Sequence, residues 1–129
     1  MNKIIITILF FLLVSLTGCT TKSTEEVLQS TLRVYERVLR WGDIEKTNNF
    51  RKEPIVFSAE EKQKFKLIKV TAYETQKITR PDVLTMKVTV ALRYYHEEYA
   101  REKTIEDHQV WQHDVKKNLW FLSSPLPKF

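Results

Sequence analysis

Hydrophobic positions along the chain fall into three regimes. Ile4–Val14 is apolar throughout except for Thr7. Further on, Val27, Leu28, Thr31, Leu32, Tyr35, Val38 and Leu39 recur at spacings of three and four, with Gln29, Arg33, Glu36, Arg37 and Arg40 on the opposite face. That is the period of an amphipathic helix. From Ile68 onward the period falls to two, which is the signature of half-buried strands.

Local signals set the element boundaries. Ser23 and Glu26 have the spacing of a capping box, in which each side chain satisfies the other's free backbone N–H. Gly42 follows Trp41 as a natural stop. These predict a helix over about 24–41. Asp43 opens a second, shorter helix to about Phe50, and Pro54 bars its continuation. Ser58 and Glu61 form a second capping box, predicting one or two helical turns. In the first strand Ile68, Val70, Ala72 and Ile78 are expected on one face, with Lys69, Thr71, Tyr73, Thr75 and Lys77 on the other. Thr79–Asp82 reads as a turn. Leu84–Tyr94 alternates most clearly, a third strand runs from about Lys103 to Asp114, Val115–Asn118 is a hairpin turn, and Leu119–Leu122 is a short apolar strand.

Strand length adds a constraint. Val83–His96 would extend about 45 Å at about 3.3 Å per residue, whereas a domain of this size has a radius of gyration of about 13 Å. The expectation is an α+β domain with the N-terminal helix and a short helix packed on a strongly curved antiparallel sheet of about four strands.

The apolar run at the start is too short to span a bilayer, which takes about 20 apolar residues. With Lys3 before it and Ser15-Leu16-Thr17-Gly18-Cys19 after it, the run fits a signal-peptide h-region. Leu16-Thr17-Gly18-Cys19 resembles the lipobox of bacterial lipoproteins. The resemblance implies removal of residues 1–18 and a lipidated Cys19 at the start of a short tether, 19–23. A single domain then covers 24–129. It also implies membrane attachment through acyl chains on Cys19 and handling by the lipoprotein-processing and sorting machinery. Since one acyl chain attaches only reversibly, two or three on one residue make a stable anchor. Thr20, by the same resemblance, permits passage to the outer membrane, with the domain facing the periplasm.

Composition narrows the remainder. The chain has 129 residues with a single cysteine, which excludes a disulfide scaffold and a cysteine-based zinc or iron–sulfur site. With 21 Lys+Arg against 16 Asp+Glu, the formal charge is +5. Anionic lipid headgroups or a surface polysaccharide suit that sign. No basic-aromatic cluster suggests nucleic acid as a partner.

The order of elements resembles the NTF2-like (cystatin-like α+β) superfamily, with helices first and then a meander of long strands forming a cone. A closer resemblance is to small proteobacterial lipoproteins without an assigned activity. It is carried by Tyr35 and Trp41, by Val70-Thr71-Ala72-Tyr73, by Gln109-Val110-Trp111 and by Trp120-Phe121-Leu122-Ser123-Ser124-Pro125-Leu126-Pro127. It implies a fold and a location, and no mechanism. The expectation for the domain is a non-catalytic binding or assembly role with an envelope protein partner and no cofactor.

Candidate chemistry is sparse. His96-Glu97-Glu98-Tyr99-Ala100 lacks the second histidine of the zinc-protease helix motif. His108 and His113 are an odd number of positions apart, so a regular strand points them to opposite faces. Some NTF2-like proteins are isomerases or dehydratases with a carboxylate, Tyr or His inside the cone. By that resemblance, Tyr35, Tyr73, Asp107 and Trp111 are candidate cone-lining residues, and the alternative function is a small-molecule binding or catalytic cone. A filled interior favours a protein partner, and an open cavity with a polar group inside favours a ligand. Replacing Leu32 with Asp places a charge on the apolar stripe and is expected to unfold the domain. An unchanged melting curve would show that the stripe is wrongly assigned.

Overall fold

The computed structural model describes residues 21–129. The chain forms helix α1 (Thr24–Arg40), a 3-10 helix (Ile44–Phe50) and helix α2 (Ala59–Leu67), followed by strands β1 (Ile68–Asp82), β2 (Thr85–His96), β3 (Glu102–Asp114) and β4 (Leu119–Leu122). The strands make one antiparallel sheet in the order β1-β2-β3-β4. The architecture is α+β with the helices first, as the periodicity predicts.

Helix α1 begins and ends where its sequence dictates. Ser23 and Glu26 close the capping box in both directions, each at 3.2 Å. Gly42 takes φ +74°, the left-handed region that favours glycine. With it, the Gly42 N–H reaches the Leu39 carbonyl at 3.0 Å and the Asp43 N–H reaches that of Val38 at 3.1 Å, the paired bonds of a Schellman stop. Glu25 and Glu26 in the first turn and Arg37 and Arg40 in the last complement the helix dipole. The segment after Asp43 is a 3-10 helix rather than an α-helix, and the Asp43 side chain makes no capping bond. Instead Asp43 pairs with Lys46. Ser58 and Glu61 cap α2 as expected.

Helix α1 packs against β1, β4 and the 3-10 helix. Its start meets the far end of β1 through the Glu25–Arg80 ion pair. Its end lies at the start of β1, where a Cβ on Gly42 would stand 3.4 Å from the Ile68 carbonyl. The helix therefore runs antiparallel to β1. The Trp120 indole N–H on β4 reaches the Thr24 carbonyl at 3.3 Å, and Asn118 reaches Lys22. Leu28, Tyr35 and Leu39 are fully buried, meeting Met86, Val88, Val90 and Leu92 of β2 and Trp111 of β3 in one core. Leu32 lies at the flank of this stripe and is half-buried.

Two expectations about β1 are corrected. The turn is not at Thr79–Asp82. The strand continues to Asp82, and the reversal is at Val83–Leu84, where Asp82 Oδ1 accepts from the Leu84 N–H at 2.8 Å. Pro81 is tolerated because β1 is an edge strand and the register breaks between Thr79 and Asp82. The face assignment also fails from Ala72 to Thr75, between two register breaks. A register break between Val70 and Ala72 leaves Thr71 unpaired, so Val70 faces Tyr94 and Tyr73 faces Leu92. Both of those β2 residues are buried. The bulge thus moves Tyr73 onto the core side. A second break between Thr75 and Lys77 restores the expected parity, so Ile78 pairs with buried Val88 on the core face, although it is half-exposed.

The sheet is not strongly curled, in contrast to the expectation from strand length. Three register breaks interrupt the β1–β2 ladder, and Glu74–Asp82 stays exposed along the sheet edge instead of wrapping the core.

Leu39 is fully buried at the end of the helix stripe. Leu39→Ala is expected to lower unfolding stability by about 2–5 kcal/mol through lost burial and the cavity left behind, measured by urea denaturation.

Candidate functional site

Alternation along β3 places Asp107, Gln109 and Trp111 on one face, two residues apart. Their partners on β2 are Val90, Val88 and Met86, so this face is the core face. Asp107 is 3% exposed, Gln109 1% and Trp111 0%. Such burial demands hydrogen-bond partners for every polar atom, and Gln109 has them. Its amide Nε2 donates to Asp107 Oδ2 at 2.7 Å and to the Tyr73 hydroxyl at 3.0 Å. Its Oε1 accepts from Trp111 Nε1 at 3.0 Å, with the Tyr73 hydroxyl a further 3.4 Å contact.

Tyr35 descends from α1 onto this cluster. Its ring meets Trp111 edge-to-face at 5.2 Å between centroids and Phe50 of the 3-10 helix at 5.3 Å, and Phe50 meets Trp111 at 6.1 Å. The Tyr35 hydroxyl is buried without a hydrogen-bond partner, as is Arg51 Nε. The same arginine donates through Nη2 to the Ser124 carbonyl at 2.6 Å. Ser124 Oγ accepts from the Val110 N–H at 3.0 Å, and the Ser123 N–H reaches the Val110 carbonyl at 2.8 Å. Arg51 and Ser124 therefore join the segment after β4 to the cluster.

Burial sets the electrostatics. It pushes the Asp107 carboxyl up to about 6, while the Gln109 hydrogen bond and the charges of His108 and Arg51 work in the opposite direction. Burial also raises the Tyr35 hydroxyl well above the usual phenol range, and the neighbouring Asp107 and Tyr73 add to that rise. Tyr73 is raised chiefly by burial as well, against the Gln109 hydrogen bond. The cluster thus holds two neutral phenols and one carboxyl able to keep its proton at mildly acidic pH. Asp107 also borders a surface hollow of about 330 Å³, lined by Ile105, His108, Pro125, Leu126 and Lys128 among others.

The four residues singled out from the sequence are brought together. Tyr35, Tyr73 and Trp111 fill the space between helix and sheet, and the principal hollows among the described residues are lined by other side chains. The residue that joins Tyr73, Asp107 and Trp111, Gln109, was not among the site residues expected. Its signal was parity: it stands on β3 midway between two candidates already assigned to the inner face. Arg51 and Ser124 carried no such signal, because they lie in irregular segments. The histidines diverge, His108 on the outer face beside Glu106 at 3.4 Å and His113 against Trp120. Among the described residues, no group of three or more His, Cys, Asp or Glu side chains is placed to hold a metal ion. Nor is any helix among them long and apolar enough to cross a membrane. Cys19 lies outside the described residues.

No protein-family model, no curated protein and no solved structure matches the chain.

Asp107 gives a pH test. Its pKa is raised in the fold, so the folded state binds the proton more tightly than the unfolded chain does. Its favourable contribution is complete below about pH 4 and is lost as pH rises to about 6. The difference between about 6 and the ordinary carboxylate value corresponds to about 3 kcal/mol. Asp107→Asn can still accept the Gln109 hydrogen bond without a charge. It is expected to remove the stability loss between about pH 4 and 6 and to raise stability at neutral pH by up to about 3 kcal/mol. Denaturation midpoints across that range measure it.

Proposed function

We propose that this chain is a lipid-anchored protein of the bacterial envelope. It sits on the periplasmic side of the outer membrane and serves as a non-catalytic binding or assembly accessory. The observation that carries the anchor is the sequence Leu16-Thr17-Gly18-Cys19 directly behind the apolar run Ile4–Val14, with Cys19 the only cysteine of the chain. A diacylglycerol on that thiol, joined by a further acyl chain on the amino group exposed by cleavage, holds the domain at the bilayer by burying methylenes at about 0.8 kcal/mol each.

Two features support the non-catalytic part of the reading. The interior is occupied by the rings of Tyr35, Phe50 and Trp111, and the hydrogen bonds of Gln109 are spent within the cluster. The finer fold assignment, an NTF2-like (cystatin-like) domain with a shallow sheet, is supported by the order of helices before an antiparallel meander and by the bulged first strand.

One observation favours a second reading, the binding of a small polar molecule. Tyr35 Oη and Arg51 Nε are buried without partners close to Asp107, which borders a hollow. A ligand entering there would have to part the segment after β4 from β3.

The anchor is tested in the full-length chain. Wild type is expected to incorporate labelled palmitate and to lose residues 1–18. Cys19→Ala is expected to incorporate none and to accumulate with its leader attached. Equal labelling of the two, or a processing site elsewhere in the intact mass, would overturn the reading.

A further inference from the structure

The outer surface of α1 carries a feature that neither the core nor the buried cluster uses. Arg33, Arg37 and Arg40 recur at four and three residues and so share one side of the helix. All three are exposed, and Trp41 just beyond them is 82% exposed. Together with Glu36 and Val70 they line an open hollow of about 740 Å³. Glu36 pairs with Arg40 at 3.6 Å, whereas neither Arg33 nor Arg37 has an ion-pair partner among the described residues.

The helix dipole explains Arg37 and Arg40 in part, since cations are favourable in a last turn. It does not explain Arg33, two turns before the end, or an indole left in water. The acidic end of the helix is already neutralised. Glu25 is held by Gln29 and Arg80, and Glu26 is engaged in the capping box. Arg33 and Arg37 are thus left without a carboxylate partner among the described residues.

We infer that the Arg33–Arg37–Arg40 face with Trp41 docks on the anionic phospholipid surface of the membrane that carries the anchor. The inference rests on the lipid-anchored reading of Cys19. Guanidinium groups match phosphate in charge and in the geometry of their donors. An indole with an apolar body and a polar N–H suits the headgroup layer, where tryptophan concentrates. Reach agrees with this. The four residues from Cys19 to Ser23 extend at most about 14 Å, and α1 is about 25 Å long. A helix tethered so closely at its start brings Trp41 to the surface by lying along it. At that range the arginines are within about one Debye length of the headgroup charge.

The test uses the full-length acylated protein in nanodiscs of phosphatidylcholine with or without phosphatidylglycerol, the glycerol lipid being brominated in its acyl chains. Indole fluorescence reports the contact, because Trp111 and Trp120 are buried and Trp41 is exposed. Quenching is expected in the anionic discs, beyond that in discs whose phosphatidylcholine carries the bromine, and it should vanish in Trp41→Phe. Arg33→Gln and Arg37→Gln are each expected to weaken the docked state about fivefold, the effect of one basic residue near an anionic surface. Circular dichroism checks that these surface variants keep the fold. Equal quenching in the two kinds of disc would overturn the inference, as would quenching unchanged in the Arg33→Gln/Arg37→Gln double variant. Arginine-dependent binding of soluble dextran sulfate without quenching in discs would also overturn it, and would assign the face to a polysaccharide. The intact mass of the same sample reports acylation of Cys19, so failure of the anchor and failure of the arginine face are read separately.

Discussion

The fold depends on satisfying one buried amide. Gln109 sits in the middle of the core face of β3, where an unmade hydrogen bond costs about 1–3 kcal/mol. Its oxygen and both N–H directions are taken by Tyr73, Asp107 and Trp111. Two of those partners are its neighbours on the same strand face. The third comes from β1, across the intervening β2. Trp111 then presents its ring to Tyr35 and Phe50. From one amide the restraint passes to β1 and β3 of the sheet, to α1 and to the 3-10 helix.

This arrangement also selects the register. A slip by one residue turns every side chain to the wrong face, so burial alone forbids it. A slip by two preserves the faces and is not excluded by hydrophobic pattern. It would carry the Tyr73 hydroxyl about 7 Å along the sheet and leave the Gln109 amide short of a partner. The hydrogen bond between β1 and β3 therefore discriminates where packing does not. The bulge at Thr71 is part of the same device, because without it Tyr73 would face solvent.

That bulge marks where the sequence stopped being legible. Helix α1 could be read almost to the residue, since its capping box, its stripe and its terminal glycine all agree. β2 and β4 read clearly as well. β1 did not, because strict alternation assumes an unbroken ladder and this edge strand has three breaks. Pro81 suggested a turn for the same reason: a missing N–H is forbidding in a central strand and harmless at an edge. The polar cluster was half legible. Tyr35, Tyr73, Asp107 and Trp111 were recognisable as inward candidates, but a glutamine between them carries no compositional mark of importance. Its role follows only from parity on β3 combined with the shifted parity of β1. Arg51 and Ser124 come from segments without period, so only their tertiary placement reveals them.

The interior and the surface of α1 answer different demands. Toward the sheet, the helix contributes Leu28, Tyr35 and Leu39 to a space already closed by rings, leaving a substrate no room without rearrangement. The polar atoms of Gln109, Tyr73, Asp107 and Trp111 serve each other, and the raised Asp107 carboxyl is the cost of burying an acid there. Toward solvent, the same helix leaves Arg33 and Arg37 without ion-pair partners among the described residues, while Glu25 is bound to Arg80 and Glu26 to the capping box. A surface whose only purpose was solubility would gain from pairing both signs equally. The asymmetry lies along a single exposed helix surface, with its acids engaged near the start and Arg33 and Arg37 left free of ion pairs toward the end, which is the feature the interior packing does not account for.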